Sequence, residues 1–201
     1  LIIDEWGAWY DVEPGTNPGF LYQQNTLRDA LIAGINFNIF HKHCERVQMT
    51  NIAQTINVLQ AIILTDGAKM IKTPTYHVFD MYKVHQDAEA LEISCDSAEY
   101  RMGEQSIPEV SVSASRNQQG QVHISLCNLN HAQESIVEID LRGLDLSSVN
   151  GTVLTADQIN TYNDFDNPDA VVPKSFNDAK LQQNKLVVTL PSKSVVVLAL
   201  Q

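Results

Sequence analysis

Cysteine is scarce in this sequence of 201 residues, which contains only Cys44, Cys95 and Cys127. Their odd number and wide spacing exclude a disulfide framework, and the lack of a Cys-x-x-Cys pair argues against a zinc ribbon. We therefore expect all three side chains to be packed, unreactive thiols.

Positive charge is also scarce, because 13 Lys and Arg residues stand against 24 Asp and Glu residues, a formal net charge of -11. Surfaces that bind nucleic acids or anionic membranes are basic, so neither partner is expected. No apolar run approaches the ~18 residues that a membrane-spanning helix needs. Asn36, Asn38 and Gln60 interrupt the richest segments.

The sequence has no initial methionine and no charged leader, and it begins with Leu1 inside an apolar run. A buried parallel strand needs neighbours on both edges. We therefore expect the chain to be the C-terminal piece of a longer protein. The sequence leaves open whether a signal peptide precedes it, and it therefore does not predict a localisation.

The opening stretch places two carboxylates directly after an apolar run. Residues 1–3 (Leu-Ile-Ile) predict a strand buried on both faces, and Asp4 and Glu5 follow at its carboxyl end. Barrel enzymes keep their chemistry at that end of their strands. Side chains alternate along a strand, so only one of the two acids should face a site, and we expect it to be Glu5. The alternative is a strand-end acid that only caps the next turn.

The first third of the chain has the rhythm of a parallel α/β barrel. Residues 13–19 are rich in turn formers, residues 20–44 carry a helical apolar stripe, and residues 46–49 form a short strand candidate. A second helical stripe is predicted from Ile52 through Ile63 to residue 66. Two such units do not close a barrel, since the usual closed form needs eight.

The second half of the chain changes to a period of two. After a short connecting helix over residues 76–82, strands are predicted at residues 92–95, 110–114, 122–126, 137–141, 186–190 and 195–200. Several half-buried alternating strands at this spacing predict an antiparallel β-sandwich. The predicted domains are a barrel fragment at 1–75, a connecting segment at 76–90 and a sandwich at 91–201.

Two segments resemble metal sites, but no metal or other cofactor is expected. In the run from His41 to Cys44, only those two residues share a helical face, so a polar helix end is the preferred interpretation. The acidic loop at 163–169 does not fit an EF-hand, because its glycine and final glutamate positions hold Asp169 and Ser175. An irregular calcium site and a solvated acidic loop both stay open there.

Aromatic residues surround the candidate carboxylate. Trp6, Trp9 and Tyr10 follow Glu5, and flat aromatic faces pack well against the C–H patches of sugar rings. Sugar hydroxyls need polar partners, for which Asn51 and Gln54 are the candidates. For Trp6, a place in the hydrophobic core is the preferred interpretation.

Several motifs occur in the order found in one enzyme family. They are Asp4-Glu5-Trp6-Gly7-x-Trp9-Tyr10, residues 22–31 (YQQNTLRDAL), Arg46-Val47-x-Met49-x-Asn51-Ile52-Ala53-Gln54, residues 73–79 (TPTYHVF), residues 165–173 and residues 190–198. In these segments the chain closely resembles the α-L-arabinofuranosidases of glycoside hydrolase family 51, and the resemblance covers nearly all of it.

The resemblance implies the last two βα units of a (β/α)8 barrel followed by a jelly-roll-like antiparallel β-sandwich. It implies a retaining enzyme acting on terminal α-L-arabinofuranosyl residues of hemicellulose or pectin, assembled as a homo-oligomer when full-length. Glu5 matches the catalytic nucleophile, and Trp9 and Gln54 match positions that line the arabinose pocket. The family's acid/base glutamate lies on an earlier strand that this sequence lacks, so we expect the chain alone to be inactive.

Two other functions stay open. The sandwich could be a non-catalytic module that buttresses a barrel or binds polysaccharide; its strands show no run of exposed aromatics, which favours buttressing. A related barrel glycosidase with a different sugar specificity is the other, because enzymes acting on xylosides or glucans share a strand-end glutamate.

Overall fold

The computed structural model describes residues 1–144, 146–182 and 185–201. The helices are α1 (Leu27–Lys42) and α2 (Pro74–Tyr82), with single 3-10 turns at Pro18–Phe20 and Lys83–His85. The strands are β1 (Ile2–Trp6), β2 (Met49–Ile52), β3 (Ile63–Asp66), β4 (Lys69–Lys72), β5 (Glu89–Ala90), β6 (Glu99–Met102), β7 (Gln105–Pro108), β8 (Val110–Arg116), β9 (Val122–Asn128), β10 (Ser135–Asp140), β11 (Val149–Leu154), β12 (Lys174–Phe176), β13 (Ala179–Gln182), β14 (Lys185–Leu190) and β15 (Ser194–Leu200). Within these residues, no helix is both long and apolar enough to cross a membrane.

The N-terminal third is built on a βαβ unit. β1 and β2 pair in parallel, and α1 connects them. The start of α1 is fixed by a capping box, in which the Thr26 side chain accepts from the first turn and Asp29 accepts from the Thr26 backbone N–H. Lys42 occupies the last turn, where its positive charge suits the helix dipole. The predicted helix in this region is confirmed, although it begins at residue 27 rather than near residue 20.

The second predicted helix, over residues 52–66, is wrong. After β2 the chain runs through a loop into the antiparallel hairpin β3–β4, and the next helix is α2. Asn57 and Gln60 adopt positive φ angles of 57° and 60°, which no helix accommodates. The Asn57 side-chain amide also donates to the Thr65 carbonyl and accepts from the Thr65 backbone N–H. These bonds hold the loop across the start of the hairpin. The helical spacing of isoleucines was therefore misleading.

The C-terminal half forms the predicted antiparallel sandwich. A six-stranded sheet in the order β12-β11-β15-β9-β8-β5 packs on a three-stranded sheet in the order β10-β14-β13. Alternate residues of both sheets fill the core between them, including Leu126, Leu186, Val188 and Leu198. The strand predicted at 92–95 is wrong: among the described residues that segment pairs with no strand. The short β5 before it occupies the sheet edge, where it pairs with β8.

The other face of the six-stranded sheet is covered by the two helices. Leu27 of α1 and Val78 of α2 share a second core cluster with Cys127 and Val195 of the sheet. Gly34 lets α1 approach closely, since a Cβ there would lie 2.6 Å from the Cys127 Sγ. The sheet therefore has helices on one side and the smaller sheet on the other.

A buried polar layer lies where the helices meet the sheet. We use this name for the buried Asn38, Tyr82, Ser113, Ser115 and Ser125 together with the half-buried His41 and His85. His85 contacts Ser115 through Nδ1 at 2.7 Å and Ser125 through Nε2 at 2.6 Å. The Tyr82 hydroxyl donates to Asn38 Oδ1 at 3.1 Å. Burial is the main reason that the pKa of His85 is lowered to about 3.

The loop between β11 and β12 returns to the start of α1. The backbone N–H groups of Leu27 and Arg28 donate to the carbonyls of Thr161 and Ile159, both at 2.9 Å. Two of the donors that a helix N-terminus leaves without intrahelical partners are thus satisfied by the C-terminal half of the chain. The buried Asn163 fixes the same loop, because its amide donates to the carbonyls of Lys72 and Val171.

The expectation that all three cysteines are packed is wrong for two of them. Cys44 and Cys95 are exposed, and only Cys127 is buried. Cys44 follows the end of α1 and Cys95 lies in the unpaired segment after β5, so neither is covered by a neighbouring element. Burial raises the pKa of Cys127 to about 12, which keeps this thiol protonated.

Candidate active site

Glu5 lies at an irregularity near the carboxyl end of β1. Ile3 is opposite Thr50 and Trp6 is opposite Ile52, so two residues of β1, Asp4 and Glu5, face the single residue Asn51 of β2. An extra residue of this kind is a β-bulge, and bulges re-aim side chains next to active sites. Because the strands are parallel, Glu5 and Asn51 lie at the same edge of the pair, and both are exposed.

Trp9 and Gln54 lie in the loops that follow these strand ends. The backbone N–H of Ala53 donates to the Trp6 carbonyl at 2.9 Å, which continues the pairing beyond β2. Trp9 is 67% exposed, and Gln54 is exposed as well. The four residues predicted from the sequence thus all emerge from the carboxyl end of the β1–β2 pair, in the loops or strand ends where catalytic groups are usually placed.

Trp6 belongs to the core. Its ring lies 5.5 Å from that of Phe37, 5.4 Å from that of Phe40 and 6.1 Å from that of Phe79. These are the centroid separations of packed aromatic pairs. The interpretation of Trp6 as a packing residue is therefore confirmed.

Two buried glutamines hold the loop that carries Trp9. The Ala8 carbonyl accepts from Gln60 Nε2 at 2.6 Å and from Gln23 Nε2 at 3.1 Å. Gln23 also accepts from the backbone N–H of Tyr10 at 3.0 Å. Sequence reasoning missed both side chains; the available signal was the position of Gln60 inside the apolar run from Val58 to Ile62.

Two acidic residues near the loop after β1, Asp29 and Glu13, already accept structural hydrogen bonds. The fully buried Asp29 accepts from the Thr26 backbone N–H at 2.8 Å and from the Arg28 guanidinium at 3.3 Å. Glu13 accepts from the backbone N–H of Gln24 at 3.0 Å. Arg28 also covers the Tyr10 ring, 3.7 Å from its centroid.

In the described parts of the chain, no group of three or more His, Cys, Asp or Glu side chains is placed to hold a metal ion. In the segment from His41 to Cys44, the His41 ring contacts Ser113 Oγ at 3.0 Å, while His43 and Cys44 are exposed. In the loop at 163–169, Asp164 Oδ1 accepts from the backbone N–H groups of Asp166 and Asn167, at 2.9 and 2.6 Å. This carboxylate stabilises its own turn.

Comparison with known proteins gives consistent results in sequence and structure. Residues 4–194 match the family model described as the α-L-arabinofuranosidase C-terminal domain. The chain is 45% identical over 203 residues to an intracellular exo-α-L-arabinofuranosidase of Bacteroides ovatus, covering 100% of this chain and 39% of that protein.

Solved structures agree. A GH51 arabinofuranosidase from Xanthomonas axonopodis pv. citri superposes with a TM-score of 0.98 at 51% identity, covering 100% of this chain and 41% of that one. The catalytic domain of GH30 xylanase C from Talaromyces cellulolyticus superposes with a TM-score of 0.65 at 16% identity, covering 100% and 40%, which shows similarity of fold alone. The chain therefore spans about two fifths of the length of these relatives.

Proposed function

The chain belongs to the α-L-arabinofuranosidase C-terminal domain family, as the C-terminal portion of a GH51 glycoside hydrolase, and we propose that it supplies the nucleophile half of a retaining active site. The proposed reaction is the hydrolysis of terminal α-L-arabinofuranosyl residues of hemicellulose or pectin. The observation that carries this proposal is Glu5, exposed at a bulge at the carboxyl end of a parallel strand.

The proposed place of β1 and β2 is at the end of a (β/α)8 barrel. Exposed apolar side chains support this: Leu1, directly before β1, Ile2 of β1 and Met49 of β2 are 64%, 55% and 53% exposed. The apolar run at residues 1–3 is instead typical of a strand buried on both faces. Further barrel strands would cover these side chains. We propose residues 1–75 as barrel, 76–90 as the connection and 91–201 as a jelly-roll-like sandwich. α2, at Pro74–Tyr82, packs on α1 and forms the start of the connection.

In the proposed mechanism the Glu5 carboxylate attacks the anomeric carbon of the arabinofuranosyl unit. The bond to the leaving oxygen breaks as a second carboxyl group protonates that oxygen, and water then hydrolyses the glycosyl-enzyme ester. Retention needs the two carboxyl groups about 5 Å apart. We propose that the second group comes from an earlier barrel strand, since Asp29 and Glu13 are engaged in structural hydrogen bonds.

The proposed sugar contacts come from the neighbouring loops. The exposed Trp9 ring would pack on the C–H face of the arabinose, and the Asn51 and Gln54 amides would bind its hydroxyls. Asn51 is opposite the bulge that carries Glu5, which favours a contact close to the anomeric carbon.

The first prediction concerns Glu5 in the full-length enzyme. Glu5→Gln should lower kcat on an aryl arabinofuranoside by about a thousandfold or more, because the amide cannot form the ester intermediate. Asp4→Asn is the matched control, since it changes the adjacent carboxylate at the same bulge and should retain most activity. Activity that survives Glu5→Gln would contradict the proposal. The chain by itself should show no Glu5-dependent turnover.

The sandwich itself is proposed to buttress the barrel rather than bind polysaccharide. Both faces of its six-stranded sheet are covered, one by α1 and α2 and the other by the smaller sheet. The full-length enzyme is further proposed to be a homo-oligomer, which light scattering would test. Retardation of the isolated sandwich on arabinan affinity gels would favour glycan binding instead.

A different sugar specificity is the second candidate. The GH30 xylanase shares the fold, and that similarity does not bear on which sugar is bound. A panel of aryl arabinofuranosides, xylosides and glucosides, assayed with the full-length enzyme and its Glu5→Gln variant, separates the two.

A further inference from the structure

The loop over residues 7–10 rests on two converging amides. Gln60 and Gln23 are 1% and 3% exposed, and both donate to the Ala8 carbonyl from beneath the loop. A carbonyl oxygen has two lone pairs, and here each accepts one side-chain N–H. Trp9 is the next residue along the chain, so its backbone starts from a fixed point.

Gln60 has a strained backbone conformation. Its φ angle of 60° is in the left-handed region, which residues other than glycine rarely adopt, and its amide is buried. Gly7 lies directly against it, because a Cβ at Gly7 would be 2.3 Å from the Gln60 Cγ. Backbone strain and close contact of this kind occur where the surrounding structure fixes one conformation for a function.

The two glutamines connect the loop to the rigid start of α1. Gln60 Nε2 also lies 3.3 Å from Asp29 Oδ1, and Asp29 belongs to the capping box of that helix. Gln23 binds the loop twice, through the Ala8 carbonyl and the Tyr10 N–H. The chain is thereby fixed on both sides of Trp9.

We propose that Gln60 and Gln23 are positioning residues that set the place of the Trp9 ring beside Glu5 and so determine how tightly the enzyme holds its sugar. This inference rests on the proposed function. Neither glutamine touches the substrate; both act through the Ala8 carbonyl and the loop backbone. They are thus distinct from Asn51 and Gln54, whose amides are exposed.

The test uses the full-length enzyme and a double-mutant cycle. Gln60→Met keeps the length of the side chain and removes its two hydrogen bonds, and we expect KM for an aryl arabinofuranoside to rise by roughly tenfold with little change in kcat, because Trp9 binds ground and transition states alike. In a Trp9→Ala background, Gln60→Met should have no further effect on KM. The proposal would be overturned if Gln60→Met raised KM by the same factor in both backgrounds, or if it left KM unchanged.

Two variants keep the test valid if Gln60→Met unfolds the loop. Gln23→Glu retains the acceptor for Tyr10 and loses the donor to Ala8, so it should also raise KM. Gln60→Glu should give a KM near that of the parent at acid pH, where the protonated carboxyl donates to Ala8, and a higher KM as that group ionises. A KM ratio to the parent that does not change with pH would count against the mechanism.

Gln118→Met, on the exposed turn before β9, is the control for these variants and should leave both KM and kcat unchanged.

Failure of this inference is separable from failure of the proposed function. If Glu5→Gln abolishes turnover while Gln60→Met and Trp9→Ala act independently, only the positioning role is wrong. If Glu5→Gln leaves turnover intact, the assignment of the nucleophile itself is wrong.

Discussion

Single residues decide how closely the layers of this molecule approach one another. Gly34 is the clearest case, because its missing side chain leaves room for the Cys127 Sγ under α1. Gly7 has the same role above Gln60. Each glycine lies against one buried side chain from a distant part of the sequence, so a larger residue at either site should displace that side chain.

We predict that Gly34→Ala lowers the stability of the full-length enzyme by about 1–3 kcal/mol, the usual cost of overpacking a core. The new Cβ would lie 2.6 Å from Cys127 Sγ, whereas its contacts with Val195 and Tyr82, at 3.4 and 3.5 Å, are ordinary. Thermal denaturation measures the effect. In a Cys127→Ala background the cost should largely disappear; an equal cost in both backgrounds would show that the sulfur is not the obstacle.

At this scale, the sequence predicts exposed groups better than buried polar ones. Glu5 and Trp9 could be proposed as site residues because a carboxylate and aromatics after an apolar strand form a local pattern, and both are exposed. Gln60 could not, because its role depends on a left-handed backbone and on a contact with Ala8, 52 residues away. The bulge opposite Asn51 is equally invisible in one strand alone, since it is a property of the pairing.

Elements were predictable where one periodicity dominated. α1 and the long sandwich strands β8, β9 and β15 each have a clear pattern, and the structure confirms them. The segment 52–66 has isoleucines at helical spacing, yet positive φ angles at Asn57 and Gln60 and the turn at Gly67 make it a loop and a hairpin. Local hydrogen bonds of Asn57 outweighed the apolar spacing, as short polar side chains often do outside helices.

The contact between helices and sheet should depend on pH through the buried polar layer. His85 is held neutral by burial, with smaller contributions from the charges that His41 and His123 would carry, and its pKa is about 3 against an ordinary value of 6.5. Burial lowers the pKa of His41 and His123 too. The folded state therefore binds fewer protons than the unfolded one, and its stability rises with pH in this range.

We predict that the full-length enzyme keeps the contribution of His85 at neutral pH and loses it progressively as the pH falls from about 6.5 towards 3, with a limiting slope of about 1.4 kcal/mol per pH unit. Thermal midpoints measured from pH 7.5 to 4 check this. His85→Gln retains hydrogen-bonding groups for Ser115 and Ser125 but does not titrate, so its midpoint should fall less steeply. Parallel curves for the two proteins would assign the acid sensitivity to other groups.

For the molecule as a whole, the exposed apolar side chains of β1 and β2 are expected to govern whether the isolated chain associates with other copies. Ile2 and Met49 are opposite each other in the β1–β2 pair and are both more than half exposed. In the proposed barrel they would be covered by neighbouring strands. Without them, an exposed apolar patch and free strand edges favour association between copies.

We predict that the isolated chain self-associates in a concentration-dependent way, measured by light scattering after gel filtration. Ile2→Thr combined with Met49→Gln should reduce the association. Met102→Gln is the control, because Met102 is 76% exposed on the separate β6–β7 hairpin and should not affect it. A monomeric parent chain at high concentration would contradict this view of the strand pair.

The return of the loop between β11 and β12 to the first turn of α1 has a practical consequence for protein engineering. The carbonyls of Ile159 and Thr161 complete the helix that follows the candidate nucleophile loop. In a chimera joined near residue 90, the loop that caps α1 would come from a different protein than the helix itself. Recombination between homologous enzymes should therefore succeed more often when the crossover precedes β1 and the donor contributes both halves as a single block.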